Sequence, residues 1–462
     1  MAELRLAQAA GLMDGTLIQG RPGAAVRRYN LDSRLTEPGE LFFAIVAERD
    51  GHDFIPQAAR AGAAGAVVSR DIARPGADFG LIRVEDTVRA LQQLAGRVLA
   101  GRPIRVVAIT GSAGKTTTKE IAAALIATRH SVLKSEGNLN NHLGLALSLL
   151  RLEPGHDTAV LEMAMNHPGE ILALTRIAPP DIAVVINVHP VHLEFFGTVD
   201  NIARAKREIL DGAKPGATAI LNGDDPLVRK MAEGWRGPVV TFGFTDSCRI
   251  RASRIETKGA DGMDFELVYG EDRVRLRTPF LYDSFLVDIL AACGAAYACG
   301  IPAENLAGPI GRFRACAKRG SVLRLGREVG LVDESYNSNP RALEAALRGL
   351  AGLPARRKVA VLGDMLELGP EAPAFHAEAG RQAARSGWTL LVAVGPLSRR
   401  AAEAAREEDG TATEIVSFDT ADQAAAAIPD LVRPGDLILV KGSRGMKLEK
   451  VVESLTARLK EG

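Results

Sequence analysis

Val106-Val107-Ala108-Ile109-Thr110 is a short apolar run that passes through Gly111-Ser112-Ala113-Gly114 into Lys115-Thr116-Thr117-Thr118 and an apolar-periodic stretch from Ile121 to Ile126. Strand, turn of small residues and helix, in that order, define a βα unit with its loop open to a ligand. Glycines let backbone N–H groups converge on an anionic oxygen, and the helix N-terminus adds its positive end. The pattern assigns Gly111, Ser112, Ala113, Gly114, Lys115, Thr116 and Thr117 to a nucleotide phosphate chain. Lys115 reaches the terminal phosphates and the Thr116 hydroxyl sits on Mg²⁺. Ile109 occupies the place of the usual first glycine. A plain Gly-rich strand–helix turn is the alternative reading, and the strand–turn–helix context favours ATP.

With 462 residues the chain exceeds one ordinary core, and two to four domains are expected. Lys and Arg (57) nearly balance Asp and Glu (56), which argues against a nucleic-acid platform with its basic face. Cys248, Cys293, Cys299 and Cys316 follow no metal-ligand spacing, and Cys293 and Cys299 read as small core residues of an Ala-rich helix. The polar-interrupted N-terminus does not read as a signal peptide, and no apolar run is long enough to span a bilayer. The expectation is a cytoplasmic protein without membrane insertion.

Strand-like runs alternate with helical stretches throughout. In residues 1–100 the expected strands are Leu41 to Val46, Gly65 to Val68 and Gly80 to Val84, with a helix from Ile55 to Ala61. Gly101-Arg102-Pro103 is a linker. In residues 101–309, Thr158 to Glu162, Ile182 to Asn187 and Ala217 to Asn222 are continuous apolar runs, hence strands buried on both faces of a parallel sheet. Residues 239–280 read as an antiparallel extension, followed by a helix from about 284 to 299. In residues 310–462, Gly330 to Asp333, Lys358 to Leu362, Leu390 to Val394 and Leu437 to Val440 alternate with Ala-rich helices. The fold class is α/β: three α/β domains in series, with a central P-loop parallel-sheet domain and a C-terminal Rossmann-like domain.

Polar residues at the carboxyl ends of such strands are candidates for chemistry. Glu162 ends an apolar strand and suits Mg²⁺, or else is a capping acid. His189 and His192 follow a buried strand and suit metal or phosphate, or else are surface histidines. Lys206 alone reads as a solvated helix-face residue. Asp333 through Pro340 either embraces a base and ribose or forms an Asx-type turn before a Pro-started helix. Lys441-Gly442-Ser443-Arg444-Gly445 either closes on phosphate or is a plain loop.

These pieces, in this order, resemble the Mur ligases, ATP-dependent amide-forming enzymes of peptidoglycan precursor assembly. The match is carried by Asp32-Ser33-Arg34 with Pro38-Gly39-Glu40-Leu41-Phe42-Phe43-Ala44, the Gly111–Thr118 loop, and Gly137-Asn138-Leu139-Asn140-Asn141. It continues through Asn166-His167-Pro168-Gly169-Glu170-Ile171, His192 to Lys206, Asp333 to Pro340, Gly363-Asp364-Met365-Leu366-Glu367-Leu368-Gly369 and Lys441 to Arg444. The nearest branch joins D-alanyl-D-alanine to UDP-N-acetylmuramoyl-tripeptide through an acyl phosphate, and its members imply a monomer with no nucleic-acid partner.

The resemblance implies that the first domain binds the UDP portion through Ser33 and Arg34. Lys115, His192 and Lys206 would be catalytic, and Thr116, Glu162, His192 and Lys206 would hold metal, Lys206 as a carbamate. Asp333, Tyr336, Asn337 and Pro340 would contact adenine and ribose. Asn138, Asn141, Asn166, His167, Lys441 and Ser443 would contact substrate, and the third domain would close on ATP and bind the incoming amine. Three stretches depart from the family pattern: Ile45 to His52, which lacks the usual Lys-Gly pair; Tyr282, Ser284 and Asp288; and Met163-Ala164-Met165. A paralogue joining another carboxylate and amine, and a non-catalytic ATP-binding regulator, share the same scaffold.

Overall fold

The computed structural model describes residues 4–408, 410 and 412–459, so the outermost residues of the first and third expected domains (1–3 and 460–462) lie outside the described residues. The larger sheets have five, nine and six strands, and follow one another along the chain. In the first, the order is Thr16–Gln19, Gly80–Arg83, Gly65–Val68, Glu40–Phe43, Arg28–Asn30, parallel except at the Thr16–Gln19 edge. The strand expected to run to Val46 stops at Phe43. The Ile45 amide turns back to the Phe43 carbonyl (2.9 Å), and Val46 is 57% exposed. Apolar periodicity cannot register a turn made by backbone hydrogen bonds alone.

The helix Thr87–Ala100 joins the first two domains. Asp86 caps it by accepting from the Val88 and Arg89 amides at 2.7 and 2.9 Å. Its apolar face, including Leu91, Leu94 and Leu99, packs between the first-domain helix Leu6–Leu12 and the middle-domain helices His142–Leu149 and Glu170–Ile177. One continuous core therefore runs from Leu41 and Ile82 to Val106 and Leu161.

In the nine-stranded sheet, the parallel strands lie in the order Val239–Gly243, Thr218–Asn222, Ile182–Val185, Arg105–Thr110, Thr158–Glu162, Val132–Lys134. The antiparallel extension expected from residue 239 begins later. Val239–Gly243 pairs parallel with Thr218–Asn222 because the helix Pro226–Lys230 carries the chain back, and antiparallel pairing starts between Ile250–Thr257 and Met263–Tyr269. Alternate residues feed two separate cores: Val106 and Ala108 face one, Val107 and Ile109 the other. Each fully buried aliphatic contributes roughly 1.5–3 kcal/mol of transfer free energy. That is why the run carries no polar alternation.

The third sheet has the order Ser321–Leu325, Val329–Glu334, Asp436–Lys441, Arg357–Gly363, Leu390–Val394, Glu414–Phe418, parallel beyond its first hairpin. Val359 and Val361 face one core, Ala360 and Leu362 the other. Cys248, Cys293, Cys299 and Cys316 are all free thiols, and burial pushes Cys293 up to about 12.

At the amino end of this sheet, Arg357 meets Asp436 through two hydrogen bonds (Nε to Oδ1 3.0 Å, Nη2 to Oδ2 2.8 Å), both side chains buried. Removing the acid strands a buried guanidinium. Asp436→Ala should therefore lower the unfolding free energy by about 3–5 kcal/mol. Urea unfolding followed by tryptophan emission, with Trp388 fully buried in this domain, measures it; a loss under about 1 kcal/mol would contradict the account.

Candidate functional site

The strand Arg105–Thr110 is where the middle sheet reverses direction of growth: Val132–Lys134 lies to one side of it and Ile182–Val185 to the other. Loops leaving such neighbouring strands diverge and leave a crevice at their carboxyl ends. Gly111 to Gly114 occupies that crevice. Gly114, at φ +81, leads into the helix Lys115–Ile126. A Cβ at this position would lie 1.9 Å from Asp288 Oδ1, so only glycine fits beneath that carboxyl.

The turn is held from the neighbouring loop. The Ser112 amide donates to the Asn187 carbonyl (3.1 Å) and the Ala113 amide to Asn187 Oδ1 (2.9 Å). Asn222 Nδ2 in turn fixes the Ile186 carbonyl at 2.9 Å. Lys115 Nζ donates to the Gly111 carbonyl at 2.8 Å, folding the ammonium over the turn, and burial lowers its pKa.

Glu162 is 1% exposed, and both its oxygens are engaged: Thr116 Oγ1 donates to one at 2.7 Å and Asn140 Nδ2 to the other at 2.8 Å. Fully buried Lys119 builds the loop that carries Asn140. Its Nζ donates to the Ser135 and Gly137 carbonyls at 2.7 and 3.2 Å, while Ser135 Oγ accepts from the Glu162 amide at 3.1 Å.

Lys206 is on the helix Val199–Asp211 and is 3% exposed, not on a solvated face. Among the described residues its ammonium has no hydrogen-bond or ion-pair partner. Burial, and then the Lys115 charge, hold its pKa well below the ordinary lysine value. His192 stands within electrostatic reach of both lysines; its pKa is lowered by burial, against Glu367, whose carboxylate pairs with Nδ1. Burial also brings His189 down to about 4.

A cavity of about 1220 Å³ separates this wall from the third domain. Tyr336, Asn337, Pro340 and Lys441 line the opposite side. The Tyr336 ring lies under Arg319 and Arg444, whose guanidinium carbons are 3.8 and 5.4 Å from its centroid. Lys441 Nζ donates to Glu334 Oε2 at 2.6 Å, and the Tyr282 hydroxyl donates to the other oxygen of Glu334, tying the domains together.

Several of the expected residues are not part of this cavity's lining. Asn138 and Asn166 line the cavity, but Asn141 caps the helix His142–Leu149 by accepting from the Gly144 amide (2.8 Å). Asp333 accepts from the Ser335 amide and hydroxyl at 3.0 and 2.6 Å, the Asx-type turn that its sequence allowed. His167 packs on Phe195 outside the cavity, with ring centroids 5.0 Å apart. Ser443 accepts from the Leu366 amide at 2.9 Å. Ser33 and Arg34 lie in the first domain, Ser33 donating to Gln57 and Arg34 forked onto Asp32. Asn140, Arg319, Glu334 and Glu367 carry no signal in the sequence that assigns them a role of their own. Asn140 sits among three asparagines, and nothing in spacing tells which of them faces inward. Arg319 lies in coil without periodicity.

The Mur ligase middle domain family matches residues 109–296, and the Mur ligase glutamate ligase domain family matches residues 318–444. The chain is 34% identical over 429 residues to the UDP-N-acetylmuramoyl-tripeptide–D-alanyl-D-alanine ligase of Bacillus subtilis strain 168, covering 92% of each protein. It aligns with a crystal structure of MurF from Acinetobacter baumannii at a TM-score of 0.90 and 29% identity, over 99% of both chains. Against the MurF ligase of Thermotoga maritima in complex with ADP, the TM-score is 0.82 at 31% identity, over 94% of this chain and 98% of that one.

Asp288 gives the site a measurable signature. Burial pushes its carboxyl up to about 7, opposed by Arg319. An unfolded aspartate titrates near about 3.9. The folded state therefore holds the proton more tightly, and stability present in full below about pH 4 is lost as pH rises toward about 7. Asp288→Asn should remove that loss and stabilise the nucleotide-free protein at pH 8 relative to the parent by up to about 4 kcal/mol. Denaturant unfolding of both proteins at pH 5 and pH 8 reads the difference; parallel pH dependence in the two would contradict it.

Proposed function

The chain belongs to the Mur ligase family, and we propose that it joins D-alanyl-D-alanine to the terminal carboxylate of UDP-N-acetylmuramoyl-tripeptide while ATP is converted to ADP and phosphate. One observation carries the reading: likeness to the tripeptide ligases covers nearly the whole chain. The P-loop wall and the third-domain wall facing each other across one cavity agree with it. ATP lies along the P-loop, with its base against Tyr336, Asn337 and Pro340. Asp333 shapes that loop through Ser335.

The substrate carboxylate attacks the γ-phosphorus, ADP leaves, and an acyl phosphate forms. The amine of D-alanyl-D-alanine attacks the acyl carbon and gives up a proton, and inorganic phosphate leaves from the tetrahedral intermediate. Lys115 offsets charge on the transferring phosphoryl oxygens. Arg319 faces the same cavity and adds positive charge, while Lys441 on the same lining is paired with Glu334. Seating the third domain excludes water, which protects the acyl phosphate.

A divalent cation fits the donors present. The Thr116 hydroxyl and a buried Glu162 carboxylate are hard oxygen ligands of the kind Mg²⁺ takes alongside water and phosphate. When bound, Mg²⁺ supplies charge neutralisation at the phosphoryl oxygens. Lys206 fits a further donor. As a neutral amine it adds to CO₂ with loss of a proton, and the resulting carbamate is an anion among Lys115 and His192. Ser33 and Arg34 serve the UDP end of the substrate.

Sustained ADP turnover should require both UDP-N-acetylmuramoyl-tripeptide and D-alanyl-D-alanine; turnover only with another carboxylate–amine pair would overturn the substrate assignment. Nucleotide binding with no turnover on any pair would make the chain a regulator. Lys206→Ala should lower kcat at least about 100-fold, with part of the rate restored by added acetate. Full activity of that variant without acetate would refute the carbamate.

A further inference from the structure

The stretch Gly363 to Gly369 is a motif of the sequence to which no chemistry has so far been attached. Its backbone is pinned along its length. Asp364 accepts from the Leu397 and Ser398 amides at 3.2 and 2.7 Å. The Met365 amide donates to His376 Nε2 and the Leu366 amide to Ser443 Oγ, both at 2.9 Å. Glu367 then projects across the domain boundary, and its carboxylate pairs with Nδ1 of His192. The Glu194 amide donates to the Glu367 carbonyl at 3.3 Å, fixing the approach of the two loops.

Both partners hold unusual backbone conformations: φ is +54 at His192 and +63 at Glu367, in the left-handed region where non-glycine residues are scarce. Such conformations persist where the surroundings over-determine them, and they gather at functional sites. A carboxylate on one ring nitrogen fixes the tautomer of a histidine, placing the proton on Nδ1 and leaving the Nε2 lone pair free for a ligand.

We propose that Glu367 is a positioning residue for His192, presented by the third domain so that the imidazole is oriented only when that domain is seated on the middle one. The proposal rests on the reading of His192 as part of the reaction site. It gives domain closure a chemical consequence: the third domain brings its own binding wall and also sets the tautomer of a side chain on the opposite wall.

The test uses the full chain labelled with ¹⁵N-histidine, which has eight histidines, the His192 signals being assigned by their loss in His192→Ala. In the parent the pattern expected is a protonated Nδ1 and an unprotonated Nε2. Glu367→Gln, whose amide oxygen still accepts from Nδ1–H, should keep it, and Glu367→Ala should move it toward the Nε2–H tautomer. Glu367→Ala should also lower kcat about 10–100-fold with KM for ATP changed less than about threefold, and Glu367→Gln should recover much of the loss. Unchanged imidazole signals and unchanged kcat in Glu367→Ala would overturn the proposal while leaving the site intact, provided His192→Ala is impaired. Full activity of His192→Ala would overturn it together with the reading it rests on.

Discussion

The turn Gly111–Gly114 has only small side chains, and its shape is held by Asn187. This one residue accepts two successive amides of the turn, one through its backbone carbonyl and one through its side chain. It can do so because the strand that leads to it, Ile182–Val185, lies beside the strand that enters the turn, in parallel register. The turn so held lines the cavity, carries the Gly111 carbonyl onto which Lys115 folds, and leads into the helix whose Thr116 meets Glu162. The apolar strands beneath provide the register, and their carboxyl ends bear the polar groups.

That division explains which parts could be read directly from the chain. Continuous apolar runs buried on both faces leave an unambiguous trace, so Thr158–Glu162 and Leu390–Val394 fall where the pattern puts them. The P-loop is legible for a related reason: its chemistry is backbone chemistry at fixed spacing. The asparagines around residue 140 are not legible in this way. Asn140 and Asn141 are neighbours, yet one holds Glu162 and the other caps a helix, and loop conformation alone separates them.

Lys206 shows the same limit from the other side. Helical periodicity assigns it to a charged face, and only the resemblance to a family singles it out. Its burial beside another cation is a product of tertiary packing of the helix Val199–Asp211 against the sheet. Asp333 illustrates the converse: a polar residue at a strand end is positioned for a ligand and still serves its own turn. Residues such as Arg319 and Glu367 act across a domain boundary, and no local pattern encodes a partner that distant in the chain.

The core shared through the helix Thr87–Ala100 has a mechanical consequence. The first two domains share one continuous core, whereas among the described residues the third domain's cores take Leu281 and Tyr282, with Phe285 packed against them, from the chain before it. In the proposed reading, a donor whose UDP end lies near Ser33 and whose carboxylate lies near Lys115 spans two domains that share this core. On that reading the spacing between the two ends of the donor is set by the core around Thr87–Ala100 and not by the third domain.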